Sequence, residues 1–101
     1  MSDKSIRVAV NGYGVIGKRV ADAVTRQDDM QLAGIADTSA DWRLRVANQR
    51  GYRVFAATPK AHTSMSKAGI VLSGNLDDLL DEADIVVDCT PKLVATGNVA
   101  L

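Results

Sequence analysis

The sequence predicts an α/β fold of the doubly wound kind, a mainly parallel sheet with helices on both faces and three layers in all. Three observations predict it. Short β-branched or apolar runs alternate with stretches of helical periodicity, the pattern that right-handed parallel crossovers produce. Three glycines in Gly12-Tyr13-Gly14-Val15-Ile16-Gly17 join the first run to the first helical stretch. An acid, Asp37, stands where the second run stops.

Taken in order, Ile6 to Val10 alternates with β-branched weight and ends at Asn11-Gly12, which reads as a buried strand. Ile16, Val20, Ala23 and Val24 then recur on one helical face, with Lys18, Arg19, Asp22 and Arg26 outward; the helix is expected to end near Asp28-Asp29. Gln31 to Ala36 is a second strand. Ser39 to Arg50 starts with a hydroxyl and is followed by Gly51, so a second helix is expected there. Tyr52 to Ala57 is a third strand. A short helix over His62 to Ala68, closed by Gly69, and a brief strand at Ile70 to Leu72 follow. Asn75 offers a cap for a helix over Leu76 to Glu82, whose Asp77 and Asp78 suit the positive end of its dipole. Ile85 to Cys89 is a continuous apolar run of the kind found in central strands covered on both faces. Thr90-Pro91 breaks it, and a further helix is expected to begin within Lys92 to Leu101.

The composition narrows the function classes. The 101 residues are the size of one domain, and 47% of them are apolar, enough for a modest core. With 12 basic and 12 acidic side chains there is no cationic excess to neutralise a nucleic acid. No stretch has the length and apolarity of a membrane span, and Met1 to Gly12 lacks the apolar core of a signal peptide, so the cytoplasm is the expected compartment. A single cysteine, Cys89, and a single histidine, His62, leave no metal-ligand spacing and no intrachain disulfide.

The glycine stretch carries the chemistry. Glycine weakens a helix, so three at a helix mouth imply that something approaches the backbone closely. G-x-G-x-x-G is weak alone, but here it follows a strand, opens a helix and precedes an acid twenty residues past its last glycine. In that setting Gly12 permits the turn, Gly14 admits a pyrophosphate, and Gly17 lets the helix sit close to the sheet. The amides near Val15 and Ile16 would meet the anion at the positive end of the helix dipole. Asp37 suits the two hydroxyls of an adenosine ribose. A 2′-phosphate there would face like charge, at a cost of up to roughly 4 kcal/mol for unit charges about 4 Å apart near a surface. NAD is therefore expected over NADP, although the hydroxyls of Thr38 and Ser39 leave NADP open if the carboxylate turns away. The strand ends at Gly12, Asp37 and Thr90 are expected to converge on one ligand. Two simpler readings are a turn shaped by glycines with Asp37 as a cap, and a glycine loop serving S-adenosylmethionine.

The run NGYGVIGKRVADAVTRQDDM, with the later AGI and DDLLDEADIVVDCTP, resembles the amino-terminal, Rossmann-type NAD(P)-binding domain of archaeal-type phosphorylating glyceraldehyde-3-phosphate dehydrogenase. The likeness covers nearly the whole chain and weakens between Thr58 and Lys67 and after Lys92. It implies that Val15 and Ile16 bind the cofactor pyrophosphate and that Thr90-Pro91 lies beside the nicotinamide half. The cofactor-binding set is then Gly12, Tyr13, Gly14, Val15, Ile16, Gly17, Asp37, Thr38, Thr90 and Pro91. The resemblance further implies a cytoplasmic homotetramer that oxidises and phosphorylates glyceraldehyde 3-phosphate to 1,3-bisphosphoglycerate. In that reaction a cysteine thiolate attacks the aldehyde, hydride passes to the nicotinamide, and phosphate cleaves the thioester.

Two departures from the family stand out. Its members commonly carry lysine at the position of Asp37, which suits NADP. Their nucleophilic cysteine lies in a separate catalytic domain, in a Ser-Cys-Asn-Thr-Thr motif that these 101 residues do not contain. The chain is accordingly expected to be one cofactor-binding domain, residues 1–101, that binds the dinucleotide and catalyses nothing by itself. A cofactor domain of a semialdehyde or homoserine type of dehydrogenase, and a non-catalytic NAD-sensing module, are the alternatives. Cys89 reads as a small buried packing residue rather than a substitute nucleophile. His62 reads as an exposed residue, and the acidic pairs Asp28-Asp29, Asp77-Asp78 and Asp81-Glu82 as solvated helix ends. Lys18 and Arg19 read as solubilising, Asp22 with Arg26 as a helix ion pair, and Trp42 as a packing residue or a contact to a partner domain.

Overall fold

The computed structural model describes residues 5–90. Its elements are β1 (Ile6–Asn11), α1 (Val15–Thr25), β2 (Met30–Asp37), α2 (Trp42–Gln49), β3 (Val54–Ala56), α3 (Pro59–Lys67), β4 (Leu72–Asn75), α4 (Leu76–Glu82) and β5 (Ile85–Asp88). The five strands make one sheet, ordered β4-β3-β2-β1-β5, and every neighbouring pair is parallel. This is the Rossmann-like α/β fold that the sequence predicts.

Side-chain alternation splits the core between the two faces of the sheet. Val10, Ile35 and Val54 point to one side, where Ala21 of α1, Leu44 of α2 and Met65 of α3 close over them. Ala9, Ala36 and Phe55 point to the other, against Leu79 of α4. Three helices on one face and one on the other follow from the order of the strands. The chain steps outward from β1 through β2 and β3 to β4, then α4 carries it back across the opposite face to β5. The direction of winding reverses between β1 and β5, so a crevice opens there at the carboxyl ends of the strands.

Several boundaries differ from the sequence reading, each for a local reason. Helix α1 stops at Thr25: Arg26 and Gln27 donate back to the carbonyls of Ala23 and Val24, and Asp28-Asp29 belongs to the following turn. Helix α2 starts at Trp42 because Asp41, not Ser39, caps it by accepting from the Arg43 amide at 2.9 Å. Helix α3 begins earlier than His62. Thr58 accepts from the Ala61 amide at 3.0 Å, and Pro59 takes the first turn, where its missing N–H costs nothing. Strand β4 starts at Leu72 because Ile70 is spent on closing α3, its amide donating to Met65, while the Asn48 amide holds both backbone groups of Val71.

The largest correction concerns β5. Among the described residues it is the outermost strand beside β1, with Ile85 and Val86 46% and 43% exposed, where the sequence reading expected a central strand covered on both faces. Trp42 is 63% exposed, with the Arg43 guanidinium 5.1 Å from its ring centre, and is not a packing residue. Pro91 and the helix expected over Lys92 to Leu101 lie outside the described residues.

Candidate functional site

A cleft of about 740 Å³ lies at the carboxyl ends of β1, β2 and β5. It is lined by the glycine loop from Gly12 to Ile16, by Asp37 at the end of β2 and Thr38 after it, and by Cys89 and Thr90 after β5. The strand ends expected to converge do so.

The three glycines of the loop differ in what surrounds them. Gly12 has a φ of 95°, and a side chain there would meet the Cys89 carbonyl carbon and the Thr90 nitrogen at 2.7 Å. Both its conformation and its crowding against the end of β5 demand glycine. A Cβ on Gly17 would collide with the Gly12 carbonyl oxygen, so the close approach of the first turn of α1 to the loop also excludes any side chain. Gly14 has neither reason. Its backbone is extended, with φ at −83°, and a Cβ there would meet no other atom within 4 Å. It is exposed at the first position before α1, facing the cleft.

No side-chain oxygen caps α1, and no acid sits in its first turn. The helix therefore presents uncompensated amides and the positive end of its dipole to the cleft. Lys18, one turn on, is held by Asp22 at 3.0 Å, and neither it nor Arg19 lines the cleft. The cleft wall includes no lysine or arginine among the described residues, so an anion entering it would be met by main-chain amides and neutral side-chain donors, without a cationic partner.

Tyr13 contributes to the cleft only through its backbone. Its ring is 2% exposed and packs in the core with Val10, Ile35 and Leu44. Burial, with the Asp22 carboxylate next in effect, pushes its phenol up to about 12, so it stays neutral and donates no charge to the site. Its amide donates to Asp37 Oδ2 at 2.7 Å, and the Thr38 amide donates to Asp37 Oδ1 at 2.6 Å. A carboxylate offers about four acceptor positions, so two amides leave room for further donors.

Ser39, whose hydroxyl the sequence reading weighed for a 2′-phosphate, also lines the cleft, as do Asn11, Asp41 and Asp88, which the motif reading did not single out. Asp41 carried a signal, an acid directly before a helical run. Asp88 accepts from both the amide and the hydroxyl of Thr90, at 3.1 and 2.7 Å, and this shapes the turn after β5. Cys89 is partly buried, and burial followed by the Asp88 charge raises its thiol pKa, which opposes thiolate formation. His62 is exposed on α3 and does not line the cleft. Among the described residues no three His, Cys, Asp or Glu side chains are grouped to hold a metal, and no helix is long and apolar enough to cross a membrane.

Comparison with known proteins agrees with this architecture. Residues 6–101 match the family described as "Dihydrodipicolinate reductase, N-terminus". The chain is 48% identical over 94 residues to glyceraldehyde-3-phosphate dehydrogenase of Methanothermus fervidus, covering 93% of this chain and 28% of that protein. Identity to the glyceraldehyde-3-phosphate dehydrogenase of Methanothermobacter thermautotrophicus is 49% over 96 residues, or 95% of this chain and 28% of that protein. The Methanococcus maripaludis strain C5 protein of the same name is 48% identical over 93 residues. The chain thus spans a little over a quarter of the length of these relatives, at their amino-terminal end.

Proposed function

The chain belongs to the dihydrodipicolinate reductase N-terminus family, and from that premise we propose that it is the NAD-binding domain of an archaeal-type phosphorylating glyceraldehyde-3-phosphate dehydrogenase. The relatives' near-half identity across nine-tenths of the chain favours this dehydrogenase over a dihydrodipicolinate reductase activity. In this reading residues 1–101 form the cofactor unit, and the chemistry on the aldehyde and phosphate belongs to the part of the relatives that this chain does not match.

One observation carries the proposal: Gly14 is a glycine that the protein itself does not require. Gly12 and Gly17 are accounted for by strain and crowding, but Gly14 sits in open space with an ordinary backbone conformation. Gly14 is the N-cap of α1, where Ser, Thr, Asp or Asn would hold the first amides better and would fit without steric cost, so the position left without a side chain suits a ligand that lies against the main chain. The free amides at the start of α1 suit a pyrophosphate, and the remaining acceptor positions of Asp37 suit the ribose hydroxyls. Gly12, Val15, Ile16 and Thr38 complete the wall on that side, and Thr90 lines the nicotinamide side. A bound nicotinamide supplies the hydride acceptor; the chain's own residues bind and orient it.

NAD is the cofactor of choice on this wall. A 2′-phosphate would meet the Asp37 carboxylate, and no cation on the described wall would offset it. Asp37 is held by two amides, so turning away to accept a phosphate would break both bonds.

The test is Gly14→Val in a calorimetric titration with NAD, NADP and S-adenosylmethionine side by side. The unmodified chain is expected to bind NAD more tightly than NADP and to leave S-adenosylmethionine unbound. The variant is expected to keep its circular dichroism and lose NAD affinity by at least about a hundredfold, as a branched side chain takes up the space of the pyrophosphate. Retained affinity would reject the placement.

A further inference from the structure

Asp37 is already occupied in the free chain, and by the loop it faces. Tyr13 lies between two glycines, residues with the greatest backbone freedom, so the loop has little stiffness of its own. Gly12 donates to the Ala36 carbonyl at 2.7 Å, and between that bond and the start of α1 the loop is pinned at residue 13, held from two directions. Its ring is sealed in the core, and its amide is gripped by Asp37 Oδ2 at 2.7 Å. The other oxygen of the same carboxylate takes the Thr38 amide at 2.6 Å, so the acid is itself immobilised. Hydrogen bonds to a charged acceptor are roughly twice as strong as neutral ones; the Tyr13 bond joins the end of β2 to the mouth of α1, and the local Thr38 bond orients the carboxylate that makes it.

We infer that Asp37 is a positioning residue for the glycine loop as well as the acceptor for the adenosine ribose. The carboxylate that reads the sugar also assembles the pyrophosphate site. The inference rests on the cofactor reading above and extends it. If Asp37 served the ribose alone, its loss would matter only to ligands that carry the ribose hydroxyls. If it holds the loop, its loss weakens ligands that cannot touch it, because the ordering of the loop must then be supplied on binding.

The experiment pairs two ligands with two variants of the full chain. The ligands are NAD and an NAD analogue whose adenosine ribose lacks the 2′- and 3′-hydroxyls; the variants are Asp37→Ala and Asp37→Asn. Asp37→Ala is expected to weaken the analogue about tenfold, the scale of one charge-assisted hydrogen bond, and to weaken NAD further. Amide hydrogen exchange without ligand is the independent readout, and the Tyr13 amide is expected to exchange at least about tenfold faster in Asp37→Asn than in the unmodified chain. If Asp37→Ala does not fold, the Asn variant and its exchange rates decide alone. Unchanged affinity for the analogue in a folded variant, or unchanged Tyr13 exchange, overturns the inference and leaves the cofactor reading intact. Failure of the unmodified chain to bind either ligand rejects the cofactor reading instead.

Discussion

At the scale of single residues, the glycines of the cleft divide into those the fold requires and one that it leaves sterically free, the one assigned to the proposed cofactor. A hypothetical Cβ draws the line: it collides at Gly12 and Gly17 and touches nothing at Gly14. The motif told where glycines fall but not which of them answers to the protein, since that depends on what lies across each Cα in space. Cys89 was read from the sequence as buried and structural. It is partly buried, and burial with the neighbouring Asp88 charge raises its thiol pKa. It is therefore expected to react with a disulfide reagent at pH 7 more slowly than free cysteine, measured by thiol titration against time; a faster reaction would reopen it as a nucleophile. Asp22 was expected to pair with Arg26. It instead accepts from Lys18 at 3.0 Å and from the Tyr52 hydroxyl at 2.8 Å, with Arg50 3.8 Å away. The 3.6-residue repeat allowed either neighbour on the helix, but a tyrosine thirty residues on could be placed only by the fold.

At the scale of elements, Asp22 links α1 to the segment after α2 and gives that junction a pH dependence. Burial works against its charge, but the bonds from Tyr52 and Lys18, with the charges of Lys18 and Arg50, outweigh it and hold its pKa below the ordinary 3.8. The unfolded chain therefore takes up the proton first. The stability this carboxylate contributes is complete above the unfolded value, and it drains away as pH falls through the lower folded one. Asp22→Asn is expected to lower stability at pH 7 and to flatten its decline below about pH 4, measured by urea denaturation at a series of pH values. Strand β2 shows a second element-level fit. Its register against β1 shifts at Ala33, and a Cβ on Gly34 would fall 2.4 Å from the Phe55 ring, which is fully buried. Gly34→Ala is expected to cost about 1–3 kcal/mol through overpacking, despite the better strand propensity of alanine, and thermal unfolding measures it. Arg53 and Glu82 join β3's lead-in to α4 by two bonds of 2.7 and 3.1 Å, but both lie at the surface, where such pairs add little.

At the scale of the whole molecule, the strand order makes the site. Because β1 lies between β2 and β5, the loop after β1 meets the acid that ends β2 on one side and Thr90 on the other, at the point where the winding reverses. A ligand that spans all three strand ends ties the sheet together across its middle. NAD at about a hundred times its Kd is expected to stabilise the chain by about 2.7 kcal/mol and raise Tm by several degrees in a thermal scan. No change in Tm at NAD concentrations far above the expected Kd would mean that NAD does not bind the folded chain.

The sequence by itself determined the alternation of strands and helices, the place of the glycine loop and the acid twenty residues beyond it. These depend on periodicity and on backbone chemistry, which are local. Caps were partly legible: Gly51 and Gly69 follow the helices they were expected to close, whereas Asp41 and Thr58 displaced the hydroxyl and start points read from composition. Only the tertiary structure decided that β5 stands at the edge of the described sheet, that Trp42 faces solvent, and that Asp37 already grips Tyr13 before any ligand arrives. Each of these depends on which distant segment lies opposite. An apolar run reads alike whether it is covered on two faces or one, and a carboxylate's partners are chosen by distance in space, not along the chain.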